Sequence, residues 1–249
     1  MTDQEKAPTG DPILRHSELK RQDFEPASGD SHLDEISDHI EKYLGTVESV
    51  LHEIISSIVH IDILYIKPSD RYPFNILVTS GVSDKPMTVP QGAEDHRFAE
   101  LLILLPRDWP LEFENFKVLS ETIDETAYWP IRWLKTIAMF PHSYDTWVGW
   151  GHTIPNGENA EPLADNTKLG CILLMPSISI PIDFYKLTTQ DGKAIEFFCL
   201  YPLYKEEMEY KLKNGTDKLL DKFDKYGVKD LINSQRPNTC IKKGLFGLW

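Results

Sequence analysis

Cysteine is scarce in this chain: three residues, Cys171, Cys199 and Cys240, among 249. The number is odd, no CxxC spacing occurs, and the first two lie inside the apolar runs GCILLM and FFCLY. A disulfide framework and a Cys-based zinc site are therefore not expected. Buried thiols in a reducing cytoplasm fit instead, and a thiol nucleophile lacks a visible activating neighbour. No segment approaches the ~20 uninterrupted apolar residues of a membrane span. Residues 1–11 contain no apolar core of signal-peptide length. Basic side chains are also in deficit, 26 Lys and Arg against 39 Asp and Glu, giving −13 at pH 7 and a sequence pI near 5.0. Such a field repels nucleic acid and anionic membrane surfaces, and it speeds the approach of a basic protein. Apart from Lys242-Lys243 there is no basic run. The chain also lacks a GxxxxGK[ST] loop, a GxGxxG after a strand, a finger-type Cys/His spacing and a GxSxG elbow, so nucleotide-binding, zinc-finger and serine-hydrolase functions lose their best support.

What is present is ordinary globular composition, 41% hydrophobic and 26% charged, long enough for one sizeable core. Residues 1–30 mix Pro, Gly, Ser and charges and predict a flexible extension; residues 31–249 predict a single folded domain. Ser31-His32-Leu33-Asp34 resembles a capping box, and Leu33, Ile36, Ile40, Tyr43 and Leu44 follow at helical spacing up to Gly45. Strands are expected at 47–56, 58–67 and 72–80, then a turn at 83–86 and a central strand at 97–105. Residues 129–140 predict a helix with Pro130 in its first turn. Residues 147–166 are Gly-, Pro- and Asn-rich and read as a functional loop or an irregular strand pair. Strands at 168–175 and 194–201 and helices at 204–213 and 217–226 complete the pattern. Strands, helix, strands and helices without regular alternation imply an α+β fold: a twisted, mixed, largely antiparallel sheet flanked by helices.

Two clusters carry chemistry. His52-Glu53 and His60-Ile61-Asp62 invite a metal reading, but the second His of a zincin motif is missing, since Ser56 stands four residues after His52. Strand alternation places His60, Asp62 and Leu64 on one polar face and Ile61, Ile63 and Tyr65 on the other, so His60 and Asp62 are expected to neighbour each other. The second cluster is Trp147-Val148-Gly149-Trp150-Gly151-His152. Two indoles beside glycines and an imidazole have the composition of an interface hot spot; alternatively the tryptophans are core and the glycines serve turns. Glu206, Glu207 and Glu209 with Lys205 and Lys211 read as a solvated helix face carrying a Glu207–Lys211 pair.

Several phrases, in order, resemble the bacterial branch of the Suppressor of fused (SUFU) domain family: HIEKYLG at 39–45, VHIDI at 59–63, LVTSGVSDKPMTVP at 77–90, YWPIRWLKTIAMFPHSYDTWVGWGHTIPNG at 128–157 and YPLYKEEMEYKLKNG at 201–215. The resemblance spans residues 32–248, leaving the first 30 outside it. It implies a single α+β domain with no enzymatic activity and no cofactor. Bacterial members of the family resemble immunity proteins, which neutralise a toxin by direct binding, so a protein partner such as a basic toxin domain is expected. On chemistry, the candidate contact residues are His60, Asp62, Trp147, Trp150 and His152. A metal-assisted hydrolase using His52, His60, Asp62 or His152 and a regulatory scaffold for a non-toxin partner are the alternatives.

Overall fold

The computed structural model describes residues 5–16, 32–51, 60–111 and 124–241. Expectations that rest on Ser31, His52, residues 53–59 or Lys242-Lys243 lie outside these. The elements run α1 (Leu33–Tyr43), β1 (Ser49–Leu51), β2 (Asp62–Ile66), β3 (Phe74–Ser80), β4 (Phe98–Pro106), α2 (Glu125–Tyr144), β5 (Thr153–Pro155), β6 (Cys171–Met175), β7 (Lys186–Thr188), β8 (Ala194–Leu203), α3 (Lys205–Asn214) and α4 (Thr216–Tyr226). The strands form one sheet in the order β1-β2-β3-β4-β8-β6-β5, with β7 paired to β8 outside that path. All of these pairings are antiparallel except β4 with β8, which brings Phe98 opposite Ile195. The expected mixed, largely antiparallel sheet is what forms. No helix among the described residues is long and apolar enough to cross a membrane.

The sheet is buried on both faces. Ile61, Ile63, Leu77, Leu101, Ile103, Leu174 and Phe198 pack against Trp129, Leu134 and Ile137 of α2. The opposite face, including Leu64, Val78, Leu102, Phe197 and Tyr201, packs against Ile36 and Ile40 of α1 and Leu219 and Phe223 of α4. This double cover explains the near-continuous apolar runs of β4 and β8, since neither face needs polar alternation. It also corrects the expected polar face of β2. Leu64 is fully buried and Asp62 only 7% exposed, because α1 lies over that face.

Helix α2 begins a turn earlier than its apolar spacing suggests. Asp124 is its N-cap and accepts from the Thr126 N–H at 2.9 Å. Pro130 therefore sits in the second turn, not the first, and cannot donate to the Thr126 carbonyl. Asn166 supplies the missing donor, its Nδ2 lying 2.8 Å from Thr126 O. Helix α1 has His32 at its N-cap position, with no side-chain cap bond.

The supposed solvated face of α3 is also corrected. Glu207 is fully buried and takes a two-pronged contact from Arg236, including Nη1 at 2.8 Å. It further accepts from the Tyr204 N–H and from the Thr239 N–H and hydroxyl. An ion pair to a residue 29 positions on fastens the segment after α4 across the fold, and it replaces the expected pair with Lys211.

Candidate functional site

The tryptophan loop, residues 147–152, leaves the C-terminus of α2 where Asp145 adopts φ 47° and closes the helix onto Pro141 O. Two glycines let it fold tightly. A Cβ at Gly149 would lie 2.8 Å from the Trp147 ring, and Gly151 has φ +74°. Backbone bonds then stitch the loop to β6: Gly151 N–H to Leu174 O at 2.8 Å and Leu174 N–H to His152 O at 2.9 Å. Trp147 folds inward and meets the His152 ring edge-on at 4.4 Å between centroids, whereas Trp150 stands 51% exposed. Trp147 is thus packed, as the core reading expects, while Trp150 is presented to solvent.

Burial, reinforced by the charge of Lys211, pushes the His152 pKa down to about 4, against the opposing pull of a bond with the Trp147 backbone. His152 is therefore neutral across the physiological range. Lys211 is itself pushed below its ordinary value by burial, while Asp11 and Cys171 act in the opposite direction. Lys211 was assigned to a solvated face from sequence, and nothing in the local pattern places it beside a histidine 59 positions away.

The second candidate pair forms as the alternation predicts, His60 Nε2 lying 3.0 Å from Asp62 Oδ1, with the imidazole half-exposed. Beneath it lies the turn expected at 83–86, closed by a buried carboxylate that the sequence pattern does not reveal. The Glu100 carboxylate, with no solvent contact, accepts from the N–H groups of Gly81 and Ser83 at 3.0 Å and from the Ser83 hydroxyl at 2.6 Å, while Thr79 Oγ1 lies 2.6 Å from its other oxygen. Gly81 has φ +120°, and a Cβ there would come within 2.0 Å of the His60 carbonyl oxygen. The turn presents Asp84, whose carboxyl burial pushes up while Lys193, His32 and His60 pull it down. Lys193 closes the cluster by donating to Ser83 O at 3.2 Å.

The five candidate residues do not form one site. Asp62 opens β2 and His60 lies just before it, whereas Trp147, Trp150 and His152 flank β6, four inter-strand steps away, or about 19 Å. Among the described residues no group of three His, Cys, Asp or Glu side chains could hold a metal ion, so the geometry lends no support to the hydrolase reading; His52 lies outside the described residues. Cys171 and Cys199 are buried and Cys240 is partly so, and burial pushes all three thiols above their ordinary value.

Residues 58–237 match the family described as Suppressor of fused protein (SUFU). Among curated proteins no relative matches. The fold is similar to the crystal structure of a SUFU homologue from Neisseria gonorrhoeae, at 18% identity and a TM-score of 0.56, covering 84% of this chain and 97% of that one. It is similar also to a chain of the Sufu–Fu complex, at 14% identity and 0.59, covering 85% and 93%. Drosophila Suppressor of Fused aligns at 12% identity and 0.51, over 84% of this chain and 50% of the fly protein.

Proposed function

The chain belongs to the Suppressor of fused family, and on that premise we propose that it is a non-catalytic protein-binding domain that neutralises a cytoplasmic partner by direct contact, in the manner of an immunity protein. The observation that carries this reading is Trp150, a half-exposed indole on a loop held by backbone bonds to β6. A large, rigid aromatic beside ordered backbone binds with little loss of conformational freedom, which is the property of an interface anchor. The fold's likeness to a chain crystallised as the Sufu–Fu complex supports the same class of activity. The net charge of −13 favours a basic partner such as a nucleic-acid-attacking toxin, whose active surface an acidic protein can cover.

Affinity capture from the source cell, with neighbouring genes expressed, tests this. The wild-type chain should retain a protein partner, and Trp150→Asp should weaken binding by roughly 30-fold or more, the loss typical of an anchoring tryptophan. Equal retention by both proteins removes the tryptophan loop as the contact. Rescue of cells from a neighbouring toxin gene separates the immunity role from a scaffold for a non-toxin partner.

A further inference from the structure

Residues 82–88 tie the Glu100 turn to the end of α2, where the tryptophan loop begins. At the near end, Glu100 holds the N–H groups of Gly81 and Ser83, and Val82 between them is fully buried. The Val82 carbonyl lies 3.0 Å from Nε2 of His142, 60 positions later. A carbonyl can only accept, so Nε2 bears the hydrogen. At the far end, the Thr88 N–H donates to Thr146 O at 3.0 Å, and the Val148 N–H to Met87 Sδ at 3.5 Å. Met87, Thr146 and Val148 are all buried. Of these ties, only the one through His142 depends on a group that can gain a proton near neutral pH. His142 is 6% exposed. Burial pushes its pKa below the ordinary histidine value and Lys85 acts in the same direction, while the bond to Val82 and the charge of Asp145 pull it up. The other charged groups of the turn are engaged elsewhere: Glu100 with Gly81 and Ser83, Lys193 with Ser83 O, and Asp84 within reach of Lys193, His32 and His60. The fold therefore favours the neutral ring. That contribution is complete above about pH 6.5 and shrinks as pH falls toward the folded value.

We propose that His142 is a positioning residue for the tryptophan loop: its neutral imidazole latches the end of α2 to the Glu100 turn, and protonation in mild acid releases the latch and weakens partner binding. This rests on the partner-binding reading of Trp150. A proton adds a charge and a second N–H at a place nearly closed to water, so the ring turns outward and the bond to Val82 is lost. The end of α2 then moves independently of residues 82–88, and the bonds at Thr146 and Val148 open more often. Trp150, two residues beyond Val148, loses the fixed backing that lets it bind at little cost in conformational freedom. One buried hydrogen bond sets the scale, a roughly 3- to 10-fold fall in apparent affinity between pH 7.5 and 5.0. The complex is tight at neutral pH and loosens on acidification.

The experiment uses the full chain, and its first arm needs no partner. Two-dimensional NMR follows the His142 imidazole and the Thr88 and Val148 amides from pH 7.5 to 5.0. The imidazole midpoint should fall below the ordinary value of about 6.5, and both amides should shift with that same midpoint. In His142→Gln, whose amide can reach the Val82 carbonyl but does not titrate, the shared step should vanish. His152, with its pKa near 4, is centred below this window. An imidazole midpoint at or above about 6.5, or amides that stay still through it, overturns the latch, and that outcome is read from the wild-type chain alone. The second arm is affinity for the captured partner at pH 7.5 and 5.0. The wild-type ratio of the two affinities should exceed that of His142→Gln by roughly 3- to 10-fold, a comparison that cancels any titration in the partner. Equal ratios overturn the effect on binding. Because the NMR arm involves no partner, a failure of the Trp150→Asp test is distinguishable from a failure of the latch.

Discussion

Replacing Glu100 separates hydrogen-bonding shape from charge in the buried turn beneath the His60–Asp62 pair. In Glu100→Ala, the N–H groups of Gly81 and Ser83 lose their acceptor at a point with no solvent contact. The two hydroxyls can turn elsewhere, Thr79 toward Leu101 O at 3.3 Å. Two stranded donors at about 1–3 kcal/mol each put the loss near 3–6 kcal/mol once a small cavity is included, most of the stability of an ordinary domain. Glu100→Gln keeps an oxygen for the donors from Gly81 and Ser83 and directs its amide N–H at Thr79 Oγ1, which can pass a hydrogen bond on to Leu101 O. Its cost should stay below about 1.5 kcal/mol. Burial pushes the Glu100 carboxyl above its ordinary value, outweighing the four donors that pull it down. The fold therefore favours the protonated acid. That contribution is complete below the unfolded value of about 4.3 and is lost as pH rises toward the folded value. Urea unfolding followed by tryptophan fluorescence, from pH 4.5 to 7.5, measures both effects. The Gln variant should lose this component of the pH dependence. A Gln variant as unstable as the Ala variant would refute the hydrogen-bonding account.

Three further outcomes follow from the same structure. Gly81→Ala, with φ +120° and a Cβ 2.0 Å from His60 O, should cost more than about 3 kcal/mol; a native melting temperature would show that the turn tolerates a side chain. Glu207→Ala strands the buried Arg236 and should cost about 3–5 kcal/mol, whereas Glu207→Met with Arg236→Met should recover most of it; equal losses in denaturant titrations count against the pair as the cause. Burial pushes the Glu207 pKa up, but Arg236 and the backbone donors outweigh it and hold the pKa below its ordinary value. The pair's stability is therefore present above pH ~4.3 and lost as pH falls through the folded value, a dependence that the double Met variant should lack. His152, with its pKa near 4, should show flat imidazole NMR shifts from pH 5 to 8. Its neutral form is stabilising above about pH 6.5 and progressively less so as pH falls toward 4, and a titration midpoint near 6.5 would contradict the burial argument.

Much of the candidate chemistry was legible in short stretches. The Trp147–Trp150–His152 composition marked a loop that does place one indole in water, and strand alternation placed His60 beside Asp62. The role of Glu100 in that turn was invisible because a lone glutamate within RFAELLILL has no local partner; its donors lie 17 to 21 residues earlier, at the end of β3 and in the turn that follows it. Glu207 was misread for a related reason. Its spacing to Lys211 matches a helix-surface pair, and only the return of residues 236–239 supplies the stronger partner.

The sequence by itself determined the helical periods of α1 and α4, the apolar runs of β3, β4 and β8, the acidic field and the absence of nucleotide or finger motifs, because each depends on residues within a few positions of one another or on composition. Tertiary structure alone decided the parallel β4–β8 pairing, the burial of β2 on both faces, the separation of His60 and Asp62 from the tryptophan loop, and the bond of His142 to Val82. Those follow from which distant segments meet, and the energy of such a contact belongs to the pair, with no trace in either segment alone.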